Sequence, residues 1–254
     1  MDREQIRSLY DDSYASSYND KFIHSELAQP ESNYEEQLLR SLLKPGMQWL
    51  DIACGTGYFL SRFPDIVREG LDLSPSMLKH ARKANPGVIF HEGSFLDPYP
   101  DWVNQWDVIS CMWYAYGLVD TLDQISCLIG NLASWTTQTG TCFLPLADPK
   151  LLAGVKLPSR AEYPMADSHI RVSAIVWSFV EENGNKVHQN QIAPSVDWMV
   201  HQFSQYFETV QLQTYPQPKR GRSKGASWAW RRAEQSRCAL VATCKRRTMQ
   251  CQPN

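Results

Sequence analysis

The chain has 254 residues, 43% hydrophobic and 20% charged, with 25 Lys and Arg against 27 Asp and Glu for a formal net charge of -2. That length and apolar content suffice for one elaborated domain with a sizeable core. The near-neutral balance excludes a global field that would gather nucleic acid or an anionic membrane surface. Seven cysteines without a C-x-x-C pair fit neither a disulfide framework nor a zinc knuckle, and they are expected to be reduced and mostly core. No apolar run reaches the length of a membrane span, and the acidic N-terminus lacks a signal-peptide layout. The expectation is a soluble, cytoplasmic protein.

Residues 1–46 are expected to form N-terminal cover helices. Tyr10, Tyr14 and Tyr18 recur at i, i+4 and i+8, which places them on one helical face. Leu38, Leu39, Leu42 and Leu43 share the apolar face of a helix over 34–43, stopped by Pro45-Gly46. Residues 47–146 then alternate. Strands are predicted near 48–52, 67–72, 88–91, 106–112 and 140–146, with helices over 57–63, 75–84 and 120–134. Ser74 and Pro75 supply the N-cap and first residue of the second of these helices. Residues 147–193 form a lid insertion with a β-hairpin turning at Glu181-Glu182-Asn183-Gly184-Asn185. Residues 194–246 add a helix and the last two strands, separated by a basic segment over 214–237, and 247–254 are a tail. The predicted fold is α/β: a doubly wound, mostly parallel seven-stranded sheet, Rossmann-like, with an N-terminal helical cover and a β-hairpin insertion after strand five.

In such sheets ligands sit beyond the carboxyl ends of the strands, where glycines let the backbone approach closely. Gly55 and Gly57 stand there, directly after the apolar run Trp49-Leu50-Asp51-Ile52. A dinucleotide fingerprint needs a third glycine where this chain has Leu60, so a nucleoside without a pyrophosphate is favoured. Asp72 ends the second strand seventeen residues after Gly55, placed to accept ribose hydroxyls.

At these residues the chain resembles the class I S-adenosylmethionine-dependent methyltransferases. Their first motif looks like "LDIACGTG" and their second like "GLDLSPSMLKHARK", and the resemblance covers about 47–146. It implies S-adenosyl-L-methionine as cofactor. Asp51, Ala53, Gly55 and Gly57 would lie against its methionine portion, Asp72 on the ribose, and Leu73 and Met77 beside the adenine. Where the family often has Gly-Asp after strand three, this chain has Gly93-Ser94-Phe95, so Ser94 and Phe95 inherit the adenine contact, with Asp97 as a substitute. After strand four, Cys111 and Met112 would touch the cofactor, while Trp113, Tyr114 and Tyr116 face the acceptor. The Asn- or Asp-Pro-Pro-Tyr motif of base-amino methyltransferases is missing there, which argues against nucleic acid. "LYDDSYASSYNDKF" resembles the cover helix of small-molecule methyltransferases, including the amino-sugar N-methyltransferase branch. That implies Tyr14 as the residue closing over the donor methyl, Tyr18 beside the cofactor and Tyr10 toward the acceptor.

Methyl transfer is an in-line displacement that needs alignment, desolvation and an acceptor lone pair; a hydroxyl acceptor usually also needs a base. His169 and His188 in the insertion are the candidate bases, ahead of His91 and His201. No histidine and carboxylate cluster has metal-ligand spacing, so no metal is expected. Trp228 and Trp230, with Tyr163, Trp177 and Trp198, could stack on a flat or cationic acceptor. The expected function is methylation of a small-molecule amine or hydroxyl in a biosynthetic pathway, with no nucleic-acid or membrane partner; the oligomeric state is not legible. The alternatives weighed are a protein or carrier-bound substrate drawn by the basic segment, and a non-catalytic cofactor-binding partner.

Overall fold

A computed structural model describes residues 2–25, 28–152, 161–162, 169–170, 172–181, 186–216 and 236–246. The cover is three helices: α1 (Arg3–Leu9), α2 (Asp12–Phe22) and α3 (Gln29–Leu42). The single tyrosine face is therefore split. Asp2 closes a capping box with Gln5 at the start of α1, and the Asp11 side chain accepts from the Tyr14 N–H to start α2 afresh. Tyr10 falls in the joint between them rather than on a continuous helix. The three rings still meet, with centroids 5.5 to 6.4 Å apart.

The core then runs β1 (Gln48–Ile52), α4 (Tyr58–Ser61), β2 (Val67–Asp72), α5 (Pro75–Ala84), β3 (Ile89–Glu92), β4 (Trp106–Cys111), α6 (Leu122–Trp135) and β5 (Thr136–Leu146). A short α7 (Pro149–Leu152) and the two-residue strands β6 (Ala161–Glu162) and β7 (His169–Ile170) follow. The predicted hairpin is β8 (Ala174–Glu181) against β9 (Lys186–Pro194). The chain closes with α8 (Val196–Ser204), β10 (Phe207–Pro216) and β11 (Ser236–Lys245).

Seven strands form one sheet in the order β10-β11-β5-β4-β1-β2-β3, parallel except that β11 runs antiparallel to both β5 and β10. Successive residues point to opposite faces, so Leu50 joins one core cluster with Ile109, Ile129 and Leu240, while Trp49 joins another with Leu39, Leu60 and Phe143. Because both faces are covered, β1 and β4 are buried along nearly their whole length. The chain builds outward from β1 to β2 and β3, then crosses back to β4. The switch point between β1 and β4 opens the carboxyl edge there.

Candidate active site

A single cavity of about 880 Å³ follows that edge, with α1, α2 and the β8–β9 hairpin as its roof. Its size lies near the top of the ~300–1,000 Å³ range of small-molecule clefts, enough for two ligands side by side. The β1 turn is left-handed at Ala53 (φ 50°), Gly55 (φ 54°) and Gly57 (φ 70°). A side chain built at Gly55 would meet no protein atom within 4 Å, whereas at Gly57 it would meet Asn85 Nδ2 at 2.7 Å. Gly55 thus leaves room for a ligand, and Gly57 for the packing of α4 on α5.

Asp72 closes the next strand. Its oxygens accept the N–H groups of Gly55 (2.7 Å) and Ser74 (2.8 Å), yet each keeps a lone pair for a further donor from the cavity. Burial pushes its carboxyl up to about 6 against the pull of those N–H groups. Asp51, also buried, is pushed up to about 7 although the Ser110 hydroxyl donates to it at 2.5 Å. Ala53, Leu73, Met77, Ser94, Phe95 and Met112 line the same cavity. Asp97 does not, being bound to Arg3.

Cys111 and Tyr116 also stand off the cavity. Cys111 is wholly enclosed in the core, and the Tyr116 hydroxyl accepts the Ala147 N–H at 2.8 Å, fixing the end of β5. Trp113 (φ 55°) and Tyr114 (φ 60°) do line it, two consecutive aromatic residues in the left-handed region. Such strain persists only where surrounding structure enforces it, and it clusters at functional sites.

The roof brings together residues that spacing could not pair. The Tyr14 hydroxyl donates to Glu181 at the end of β8 and lies 2.9 Å from His188 Nε2 on β9. His188 Nε2 is 3.1 Å from the same Glu181 oxygen, and Nδ1 is 3.3 Å from the Tyr10 hydroxyl. Lys21 adds a bond to Glu181 at 3.3 Å. Burial works against the Glu181 carboxylate, but the hydrogen bonds from Tyr14, His188 and Lys21 outweigh it and hold its carboxyl below the usual range. Burial also lowers His188, with Glu181 offsetting only part, so the imidazole is neutral at pH 7. A network in which Nε2–H faces Glu181 leaves Nδ1 to accept from Tyr10.

Of the other histidines, His91 bonds Glu69 at 2.6 Å and His201 is exposed beside Gln205, both away from the cavity. The side chain of His169, Tyr163, Trp228, Trp230 and the basic stretch 217–235 lie outside the described residues. Among the described residues no group of three or more His, Cys, Asp or Glu could hold a metal, and no helix is long and apolar enough to cross a membrane. Trp177 lines the cavity, while Trp198 packs on the core. Sequence reasoning did not single out Glu31 or Glu181, and it noted Arg237 only as part of a basic run; all three line the cavity or bond residues that do.

Residues 50–140 match the family described as "Methyltransferase domain". That match runs from within β1 into β5. It is 32% identical over 134 residues to a dTDP-4-amino-2,3,4,6-tetradeoxy-D-glucose N,N-dimethyltransferase of Saccharopolyspora spinosa, covering 51% of this chain and 52% of the relative. It is 31% identical over 100 residues to a dTDP-3-amino-3,4,6-trideoxy-alpha-D-glucopyranose N,N-dimethyltransferase of Streptomyces venezuelae, covering 38% and 40%. The chain thus spans about half the length, or less, of the curated relatives it matches. The solved structure of SAM-bound CalS10, an amino pentose methyltransferase from Micromonospora echinaspora, superposes over 91% of this chain and 96% of that one with a TM-score of 0.53 at 18% identity. The likeness of fold therefore extends well beyond the matched 50–140.

Proposed function

We propose that the protein is an S-adenosyl-L-methionine-dependent methyltransferase acting on an amine, or a hydroxyl, of a small-molecule acceptor in a biosynthetic pathway. The names of its relatives point to an amino sugar as the acceptor. The observation that carries this reading is the undivided cavity along the strand order. Ser94 and Phe95 after β3, Met77 on α5 and Leu73 would flank an adenine, and Asp72 after β2 would hold a ribose. Asp51, Ala53 and Gly55 at β1 would take the methionine portion. Met112, Trp113 and Tyr114 after β4 then meet whatever lies beyond.

The cofactor supplies, when bound, a methyl group on a sulfonium sulfur. The chain aligns the acceptor with it, excludes water beneath the roof, and removes a proton from the acceptor nitrogen or oxygen. Neutral His188 is the base in this reading. A proton from the acceptor passes to the Tyr10 oxygen as Tyr10's own proton moves to His188 Nδ1. Tyr14, held by Glu181, fixes the imidazole by its other nitrogen. The donors available need no metal, so a chelator leaves turnover unchanged.

Incubation with S-adenosyl-L-methionine and a panel of amino sugars, free and as dTDP conjugates, followed by mass spectrometry, tests the reading. Methylated product is expected, with much less from His188→Gln. A panel without product, in protein that also fails to bind S-adenosylhomocysteine, would sink it.

A further inference from the structure

The residues of the turn after β4 do not suit its backbone. The Ala115 N–H donates to the Met112 carbonyl oxygen at 3.2 Å, closing the turn around Trp113 and Tyr114. Both central residues have positive φ, 55° and 60°, as in a type I′ turn. Such turns ordinarily take Asn and Gly, because a Cβ crowds the backbone in the left-handed region. Two bulky aromatic residues keep that shape only where structure outside the turn enforces it.

The Tyr114 side chain shows what enforces it. Its hydroxyl donates to Glu31 Oε1 at 2.7 Å, and Arg237 Nη1 donates both to that oxygen and to the hydroxyl. Glu31, near the start of α3, is 5% exposed, and Arg237 lies on β11. One helical turn further along α3, Glu35 accepts from the Tyr215 hydroxyl at 3.0 Å, and Tyr215 stands opposite Arg237 in the β10–β11 ladder. The carboxylates of Glu31 and Glu35 thus fasten α3 to the closing strands, with the Tyr114 hydroxyl bonded into the join. A ring held at its hydroxyl, on a backbone held by β4, opposes a flip of the Trp113–Tyr114 turn to negative φ.

Position gives this clamp a use. In the sheet β4 lies beside β1 on the side away from β2. With a ribose at Asp72 and the methionine portion at β1, the turn after β4 stands on the acceptor's side, and Trp113 and Tyr114 both line the cavity there. Resting on the methyltransferase reading, we propose that Glu31 and Arg237 are positioning residues: through the Tyr114 hydroxyl they hold the Trp113–Tyr114 turn in its left-handed form and so set the two rings that wall the acceptor. In-line transfer depends on alignment, and a misplacement of ~1 Å can cost ~100-fold in rate. Releasing the turn therefore acts on the acceptor and spares the cofactor, whose proposed contacts at Asp72, Gly55 and Met77 stand on other elements.

Protein labelled with 5-fluorotryptophan tests the clamp, the fluorine resonance of residue 113 being identified by its loss in Trp113→Phe. In wild type saturated with S-adenosylhomocysteine that resonance should be a single narrow line. Tyr114→Phe removes the hydroxyl and keeps the ring, while Glu31→Gln keeps a carbonyl oxygen and loses the charge facing Arg237. Each should shift or split the Trp113 line with S-adenosylhomocysteine affinity unchanged. With whichever amino sugar of the panel gives product, kcat/KM should fall by at least about tenfold in Tyr114→Phe. A purely structural tie of α3 to β11 predicts instead a lower melting temperature with the Trp113 line and kcat/KM as in wild type; that result in either folded variant overturns the proposal. A Trp113 line already split in wild type overturns it whether or not the variants fold. Failure of wild type to bind S-adenosylhomocysteine would sink the underlying methyltransferase reading and leave the clamp to be judged by the fluorine line of the free protein.

Discussion

Asp72 shows how one side chain can serve both fold and ligand: its oxygens tie the β1 turn to the start of α5 while retaining lone pairs toward the cavity. Asp72→Ala should weaken S-adenosylhomocysteine binding by about 1.5–3 kcal/mol, the value of charge-assisted hydrogen bonds, as calorimetry would read; unchanged affinity in folded protein would remove this acid from the site. Tyr14→Phe leaves the ring in place and removes the hydroxyl that bonds Glu181 and His188. Turnover is expected to fall by about tenfold or more with little change in cofactor affinity, and equal losses in both would mark a cover residue only. Asp72 was legible because its signal is local, an acid at the end of a strand seventeen residues after a glycine turn. Glu31 was not, since its partner Arg237 lies 206 residues away and a lone glutamate in a polar segment resembles any solvated one.

The elements carry the same contrast. Helix α5 matches its predicted bounds because Ser74 and Pro75 announce its start, the Ser74 hydroxyl accepting from the Met77 N–H at 3.1 Å. Helix α3 starts five residues earlier than predicted, where Ala28 gives no side-chain cap to read. The break between α1 and α2 was missed because the tyrosine spacing fits a single helix, whereas the Asp11 cap at the joint decides otherwise. The hairpin was legible from the Asn-Gly pair between two apolar runs in the sequence, but its docking was not. It is seated on the turn after β4, where a side chain at Gly117 would meet the Ile192 carbonyl oxygen at 2.6 Å. Gly117→Ala should therefore cost about 1–3 kcal/mol by overpacking. Amide exchange should rise in β9 while β1 and β2 stay protected, and a variant with wild-type melting and exchange would refute this seating.

Across the whole molecule, pH links fold and site. Asp72 and Asp51 are raised by burial to about 6 and about 7 from 3.8. Between about pH 4 and 7 the folded state binds more protons at these groups than the unfolded one. Their contribution to stability therefore falls as pH rises through that window. His188, lowered by burial, acts in the opposite sense, losing stability as pH falls below about 6.5. In the proposed role Asp72 accepts ribose hydroxyls, which it does best when ionised. S-adenosylhomocysteine affinity should drop by about tenfold from pH 7.5 to pH 5, following an ionisation near 6. Asp72→Ala should lose the part of that dependence that follows an ionisation near 6, leaving what Asp51 carries near 7, and a flat wild-type profile would contradict it. The sequence by itself determined the alternation of strands and helices, the glycine turn and the acid that ends β2, because each is written in residues within a few positions of one another. Only the tertiary structure decided that Glu181 closes on Tyr14 across 167 residues and that Glu31 meets Arg237 across 206. Those pairings follow from how the hairpin, the cover and β11 pack on the sheet edge, and no local spacing encodes that packing.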